Sequence, residues 1–195
     1  MKREHFNELA PKWDSLPGPP DAGARVQEFL ERVAPPSGRR VLDAGAGTGI
    51  LCEGLRQRGC VVVEFDFAEL MLAEARLKSG DASQSYVCGD LMQPPFRQGA
   101  FDAVLCFNAL PHARPVESAL GALMSCVAAN GHLAIGHMMS SQALNALHGM
   151  IGGAVAADQL PPAAEVAAIL ESKGARILAA EESDRHYLVL AEARG

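Results

Sequence analysis

From Arg40 onward, short apolar runs alternate with longer stretches of helical periodicity. Val41–Ala44, Cys60–Phe65, Ser85–Cys88, Phe101–Phe107 and His132–His137 have the length and apolar density of strands. Between them, Ile50–Arg58, Glu69–Lys78 and Glu117–Ala128 carry apolar residues at helical spacing. Strand runs without in/out alternation suit a sheet covered on both faces. Strand–helix–strand repetition joins parallel strands by right-handed crossovers. The pattern predicts an α/β, doubly wound domain with helices on both faces.

Both ends of the chain depart from this rhythm. Leu16-Pro17-Gly18-Pro19-Pro20 cannot continue a helix, so residues 1–20 read as a separate N-terminal segment, ahead of a domain at 21–195. Ala24–Ala34 then places Val26, Phe29, Leu30 and Val33 on one helical face and stops at Pro35-Pro36. Near the C-terminus, Glu165–Ser172 reads as a helix closed by Gly174, followed by strands at Arg176–Glu182 and His186–Ala193. The link between these strands is too short for a crossover helix, so they must form an antiparallel hairpin.

Composition narrows the class. At 195 residues and 49% hydrophobic content, the chain is long enough for one compact core. A net charge of -6 with scattered Lys and Arg speaks against a nucleic-acid partner, which calls for a clustered positive field. The N-terminus has no signal-peptide core, and no run reaches the roughly 18–20 apolar residues that span a bilayer, so membrane insertion is not expected. Cys52, Cys60, Cys88, Cys106 and Cys126 form no CxxC pair, which fits buried small hydrophobes in a reducing, cytoplasmic setting.

Candidate chemistry begins at Asp43-Ala44-Gly45-Ala46-Gly47-Thr48-Gly49, where a buried strand ends and a helix opens. Glycines let the backbone turn sharply and approach a ligand closely, and the following helix start offers free N–H groups. The site therefore falls at the carboxyl edge of the sheet, near its switch point. The spacing is GxGxG, unlike the GxGxxG of dinucleotide binders. Asp43 would repel a pyrophosphate and attract an ammonium or sulfonium. Asp66 ends the second strand, where a carboxylate accepts ribose hydroxyls or caps the next helix. Phe67 can stand beside an adenine. At the third strand's end, Asp90 suits an exocyclic amine and the Leu91 N–H a ring nitrogen.

On these residues the chain resembles the class I S-adenosylmethionine-dependent methyltransferases, in the broad group that includes the ubiquinone- and menaquinone-biosynthesis methyltransferases. The matching stretches are Val41–Gly49, Asp66–Leu72, Gly89-Asp90-Leu91, Phe101–Val104 and Asn130–Leu133. The resemblance implies a Rossmann-like seven-stranded sheet, mostly parallel, whose last strand is inserted antiparallel. It implies S-adenosylmethionine as cofactor and S-adenosylhomocysteine as product, with Asp43 and Gly45 near the methionine part, Asp66 at the ribose and Asp90 at the adenine. Ala46, Gly47, Thr48, Gly49, Phe67, Leu91 and Phe107 complete the expected cofactor set. Three positions depart from the group's usual pattern: Ala68 replaces Ser or Thr, Glu64 replaces Gly, and Asn130-Gly131 replaces Pro-Gly-Gly.

The acceptor side is expected around Cys106-Phe107-Asn108-Ala109-Leu110-Pro111-His112, the loop that borders the methyl group in the resembling enzymes. It carries no Asn-Pro-Pro-Tyr motif for amino methylation. His112 is the candidate general base, since imidazole titrates near neutrality. His137 ends the fifth strand and His148 lies roughly two helical turns past Gln142. With Trp13, Asn108 and His112 they make the expected acceptor pocket. No metal is expected; His112, His137 and His148 are the only set that would hold one. Phe6 and Trp13 mark the N-terminal segment as a candidate lid, and the Gly- and Ala-rich stretch 149–161 as a candidate mobile wall.

The expected function is in-line methyl transfer to a small molecule by a monomer or homodimer. An NAD-dependent oxidoreductase and a non-catalytic S-adenosylmethionine- or metal-binding protein stay as alternatives.

Overall fold

The computed structural model describes residues 2–195. Seven strands, β1 (Arg40–Ala44), β2 (Val61–Asp66), β3 (Ser85–Cys88), β4 (Phe101–Phe107), β5 (Val127–His137), β6 (Arg176–Ser183) and β7 (His186–Glu192), form one sheet in the order β3-β2-β1-β4-β5-β7-β6. All pairings from β3 to β5 are parallel, whereas β7 runs antiparallel to both β5 and β6. The predicted hairpin is therefore present, with β7 inserted between β5 and β6.

Seven helices accompany the sheet: α1 (Lys2–Leu9), α2 (Ala22–Val33), α3 (Cys52–Gln57), α4 (Glu69–Ser79), α5 (Val116–Ser125), α6 (Ser141–Ile151) and α7 (Ala163–Ser172). Consecutive strand residues enter opposite layers. Val41, Val62, Ala103, Leu105 and Leu188 pack with Val26, Phe29, Leu30 and Val33 of α2 and Leu55 of α3. Leu42, Phe65, Val104, Leu133 and Val189 pack with Leu120 and Leu123 of α5 and Val166 and Leu170 of α7. Burial of these two faces is the main source of cohesion.

The strand after α5 begins earlier than periodicity predicts. The expected helix Glu117–Ala128 ends at Ser125, because Val127 already pairs with Phe101 and the Phe101 N–H donates to the Cys126 carbonyl. Gly131 lets β5 pass β4 closely: a Cβ there would lie 2.6 Å from the Asp102 carbonyl oxygen. Asn130, just before it, adopts a left-handed φ of 60°, a conformation that Asn tolerates better than most residues.

The N-terminal segment is not detached from the domain. Phe6 and Ala10 are buried against Ala68 and Met71, forming a third, smaller apolar cluster. The Leu70 N–H donates to the Asn7 side chain, so α1 also caps the start of α4. The stretch 149–161 is likewise anchored rather than a free wall. Asn145 exchanges two hydrogen bonds with the Leu160 backbone, and the Arg114 guanidinium donates to the Ala157 carbonyl. Among the described residues, no helix is long and apolar enough to cross a membrane.

Two positions at the end of β5 yield stability predictions. A Cβ on Gly136 would meet the Phe29 ring at 2.4 Å and the Phe107 ring at 2.8 Å. Gly136→Ala should cost about 1–3 kcal/mol by overpacking, read as a lower urea midpoint; an unchanged midpoint would contradict this packing. His137 is fully enclosed, and burial, aided by His112 and His148, lowers its pKa to about 3. In the unfolded chain it takes up a proton below about pH 6.5, while the folded state resists until about pH 3. Stability therefore falls with acidification between those values, by about 2 kcal/mol from pH 7 to 5 for this residue alone. His137→Leu should lose that share of the pH slope in urea titrations; parallel slopes for both proteins would refute it.

Candidate functional site

The carboxyl ends of β1, β2, β3 and β4 surround one cleft, lined by Phe6, Trp13, Gly45, Gly47, Asp66, Phe67, Met71, Asp90, Leu91, Asn108, Ala109, His112 and Ala113. It lies between β1 and β4, where the strand order reverses.

The glycine turn after β1 is built for close approach. Gly45 and Gly47 have φ of 78° and 55°, which glycine adopts without strain. A Cβ on Gly45 would lie 2.2 Å from the Ala109 Cβ, so only glycine lets this turn meet the loop after β4. The Gly45 and Ala46 N–H groups donate to the Phe65 carbonyl at 2.7 and 3.1 Å. The Gly47 N–H donates to Asp66 Oδ2 at 2.9 Å. Ala46, Thr48 and Gly49 complete the turn outside the cleft lining, and the Thr48 hydroxyl donates to Asp14 of the N-terminal segment at 2.6 Å.

Three carboxylates gather beneath and beside this turn. Asp43 and Glu64 are register partners on β1 and β2, and both are buried. Burial, reinforced by Glu64 and Asp66, pushes the Asp43 carboxyl well above the usual range. Its Oδ2 is enclosed without a hydrogen-bond partner. Glu64 occupies the room left by the missing side chain of Gly49, whose Cβ would fall 2.8 Å from Glu64 Oε2. Burial raises the Glu64 pKa as well. Crowded acids disfavour a further anion and favour a cation, which would ionise them again. Asp43 itself lies beneath the cleft lining, and the acids gathered there favour an ammonium or sulfonium over a pyrophosphate in the space above.

Asp66 and Asp90 hold the neighbouring corners. Asp66 Oδ1 accepts the Ala68 N–H at 2.8 Å while Oδ2 holds Gly47, so one carboxylate ties two loops and still faces the cleft. Burial raises its pKa, against the backbone N–H groups that favour the charged form. Asp90 forms an Asx turn onto the Met92 N–H at 2.9 Å, beside Leu91 in the cleft wall. Phe67 is in edge contact with Phe6, ring centres 5.5 Å apart, and Trp13 lies 5.8 Å from Phe6 on the same wall.

Phe107 is a correction. It points to the opposite layer of the sheet and packs on Phe29 with ring centres 4.7 Å apart. Strand alternation sends it there, because Ala103 and Leu105 share that face. Asn108, next in sequence, does line the cleft in a left-handed conformation with φ of 56°. That turn is held by the Met138 N–H donating to Asn108 Oδ1 and by the Asn108 N–H donating to the Gly136 carbonyl.

The three histidines do converge, but only His112 reaches the cleft wall. Its ring stacks obliquely on His148 at 5.4 Å and meets Phe6 edgewise at 4.9 Å. His148 is buried behind it, with Nδ1 donating to the Asp158 carbonyl at 2.8 Å. His137 is enclosed further back, against Tyr187 at 5.5 Å, with neither ring nitrogen hydrogen-bonded. Among the described residues, no group of three His, Cys, Asp or Glu side chains is arranged to hold a metal ion.

Asp158 and Lys2 are two residues that sequence reasoning missed. The Asp158 carboxylate, 2% exposed, binds His112 Nδ1 through Oδ2 at 2.7 Å and the Lys2 ammonium through Oδ1 at 2.5 Å. Burial alone would raise this carboxyl, but the bonds from His112 and Lys2 hold it below the usual range. Nothing local marks an Asp in a Gly- and Ala-rich loop as important. Met71 was also missed, although its place in the first turn after Asp66 directs it at the same cleft. A second hollow joins the cleft at Phe67, Asp90, His112 and Ala113, and its rim carries Arg3, Cys88, Met92 and Arg114. Cys88 is thus the exposed exception among the five cysteines; the Arg3 guanidinium donates to its Sγ at 3.6 Å.

Residues 42–135 match a family model described as a methyltransferase domain. Over 138 residues the chain is 33% identical to a ubiquinone biosynthesis O-methyltransferase of Chromobacterium violaceum, covering 67% of this chain and 60% of that protein. It is 35% identical over 140 residues to a demethylmenaquinone methyltransferase of Thermus thermophilus, covering 67% of this chain and 62% of that protein. The chain thus spans about three-fifths of the length of these relatives. Among solved structures, a magnesium protoporphyrin IX methyltransferase from Synechocystis with bound S-adenosylhomocysteine superposes with a TM-score of 0.75 at 22% identity, covering 98% and 97% of the two chains. At that identity the superposition speaks for the fold alone. Together with the sheet order and the glycine turn, the sequence matches identify this chain as carrying a class I S-adenosylmethionine-dependent methyltransferase domain.

Proposed function

We propose that the chain is a methyltransferase that binds S-adenosylmethionine in the cleft and transfers its methyl group to a small molecule. The observation that carries this reading is the buried, unpartnered Oδ2 of Asp43 beneath a turn that only glycine can form. A cationic ligand above the turn offsets the crowding of acids beneath it. In this reading Asp43 and the Gly45–Gly47 backbone face the methionine part, Asp66 accepts the ribose hydroxyls, and Asp90 with the Leu91 N–H receives the adenine between Phe67 and Met71. The bound cofactor supplies a methyl group already activated on a sulfonium. The protein's own work is placement, exclusion of water, and removal of the acceptor's proton where it has one.

In the same reading the N-terminal segment from Lys2 onward acts as the cover of this site. Phe6 and Trp13 form one wall of the cleft, and Asp14 anchors the segment to Thr48 and Lys78. His112 is the candidate base on the acceptor side, and Asn108 frames that side. The GxGxG spacing, the crowded acids and the hairpin-closed sheet do not favour a nicotinamide-dependent oxidoreductase.

Trp13 is the chain's single tryptophan and lines the cleft. Titration with S-adenosylhomocysteine should change its fluorescence saturably, whereas NAD should leave it unchanged. A response to NAD alone, or to neither ligand, would reject the assignment. Asp66→Ala removes the acceptor for both the Gly47 and Ala68 N–H groups and for the ribose. Calorimetry should show at least a tenfold weaker Kd for S-adenosylhomocysteine, about 1.4 kcal/mol, with the fold intact by circular dichroism. Equal affinity would place the cofactor elsewhere.

A further inference from the structure

His112 stands where the cofactor cleft and the second hollow meet, and it lines both. An acceptor entering through the hollow, past Arg3, Cys88 and Arg114, reaches the cleft at this side chain. The imidazole is oriented from behind: Asp158, nearly sealed from solvent, binds Nδ1 at 2.7 Å. Because Asp158 is held ionised by Lys2 and His112, its carboxylate can only accept, so Nδ1 carries the hydrogen. That leaves the lone pair on Nε2 for the acceptor side. Burial lowers the His112 pKa and the contact with Asp158 raises it again, with a net lowering, so the ring is neutral at physiological pH.

This arrangement is costly to keep without a use. Asp158 is a buried carboxylate on a loop rich in Gly and Ala, and it is held by one cation and one imidazole from distant parts of the chain. A nucleophile that carries no proton would need none of it. Phe67 and Met92 line the hollow beside His112, and a flat apolar wall there suits an aromatic ring.

We propose that His112 and Asp158 form a proton-abstracting dyad that directs methyl transfer to an ionisable hydroxyl on a small aromatic molecule, with Lys2 of the covering helix completing the dyad. This rests on the reading of the chain as a methyltransferase. The acceptor O–H proton passes to His112 Nε2, and an oxygen electron pair forms the new O–CH3 bond. The electrons of the broken C–S bond return to sulfur, leaving the neutral thioether. Asp158 stabilises the imidazolium through Nδ1–H, as a carboxylate behind a catalytic histidine does. His112 is the catalytic residue here; Asp158 and Lys2 are positioning residues. The Lys2 ammonium, which also donates to the His112 carbonyl at 3.3 Å, makes closure of α1 and assembly of the base one event.

The charged and titratable groups around His112 are Lys2 of α1, Asp158, His148 of α6, His137 of β5, and Arg3, Asp90 and Arg114 at the hollow. The test uses substituted phenols graded in acidity from 4-methoxyphenol to 4-nitrophenol, with wild type, His112→Gln and Asp158→Asn. For the weakly acidic phenols both variants should lose about 10²–10⁴-fold in kcat, the range of general-base catalysis. Assayed near pH 8, the loss should shrink steadily toward 4-nitrophenol, which is largely ionised there, while the Kd for S-adenosylhomocysteine stays unchanged. In Asp158→Asn the midpoint of the His112 ring in a pH titration by NMR should move to lower pH, because the group that raises it is gone. Lys2→Met should lower kcat in the same acidity-dependent way, more weakly.

A loss independent of phenol acidity, an unmoved His112 midpoint, or methylation confined to carbon or nitrogen acceptors would overturn the dyad. So would the absence of any phenol turnover by a protein that binds S-adenosylhomocysteine. Failure to bind S-adenosylhomocysteine would instead overturn the methyltransferase reading itself.

Discussion

The first turn of the sheet is stitched to the second strand by its own backbone, and the rest of the site hangs from that seam. Two successive N–H groups, of Gly45 and Ala46, converge on the Phe65 carbonyl, and the next, of Gly47, lands on the Asp66 carboxylate. The Asp66 carbonyl then takes the Gly89 N–H at 2.9 Å, which brings the end of β3 into line. Three strand ends are thereby held at one level. Gly45 closes the other side by approaching Ala109 too closely for any side chain, which sets the loop after β4 and the position of His112. Such a seam needs left-handed backbone at several places, and glycine supplies it.

Electrostatics gives that frame its selectivity. Asp43 and Glu64 crowd beneath one end of the cleft and Asp66 lines it, in low-dielectric surroundings, so their shared preference is for protons or a cation. Glu64 is an unusual member of this cluster, and the space above Gly49 is what admits it. At the other end the polarity differs. His112 and Asp158 make a pair in which one member is neutral and the other charged, with Lys2 balancing the carboxylate. The two ends suit the two halves of a group transfer: one holds a positive donor, the other receives a proton.

The N-terminal segment joins these ends. Asp14 reaches the glycine turn through Thr48, while Lys2 reaches Asp158. Phe6 spans between, touching Trp13, Phe67 and His112. Exposed ion pairs such as Arg3–Glu69 add little stability. The aromatic contacts and the buried Asp158 bonds give the segment its register.

The seven strands were legible in sequence because apolar period and turn residues are local signals. So were the hairpin, where a short link forbids a crossover, and the glycine turn with Asp43, Asp66 and Asp90, because strand ends at one sheet edge must be neighbours. Long-range geometry hid the rest. Phe107 borders the expected loop in sequence, but strand alternation turns it into the opposite layer against Phe29. His137 and His148 are near His112 as predicted, yet the fold stacks them behind it rather than beside it. Asp158 is 46 residues from His112 and 156 from Lys2. No periodicity links positions so far apart, so only the tertiary structure could pair them.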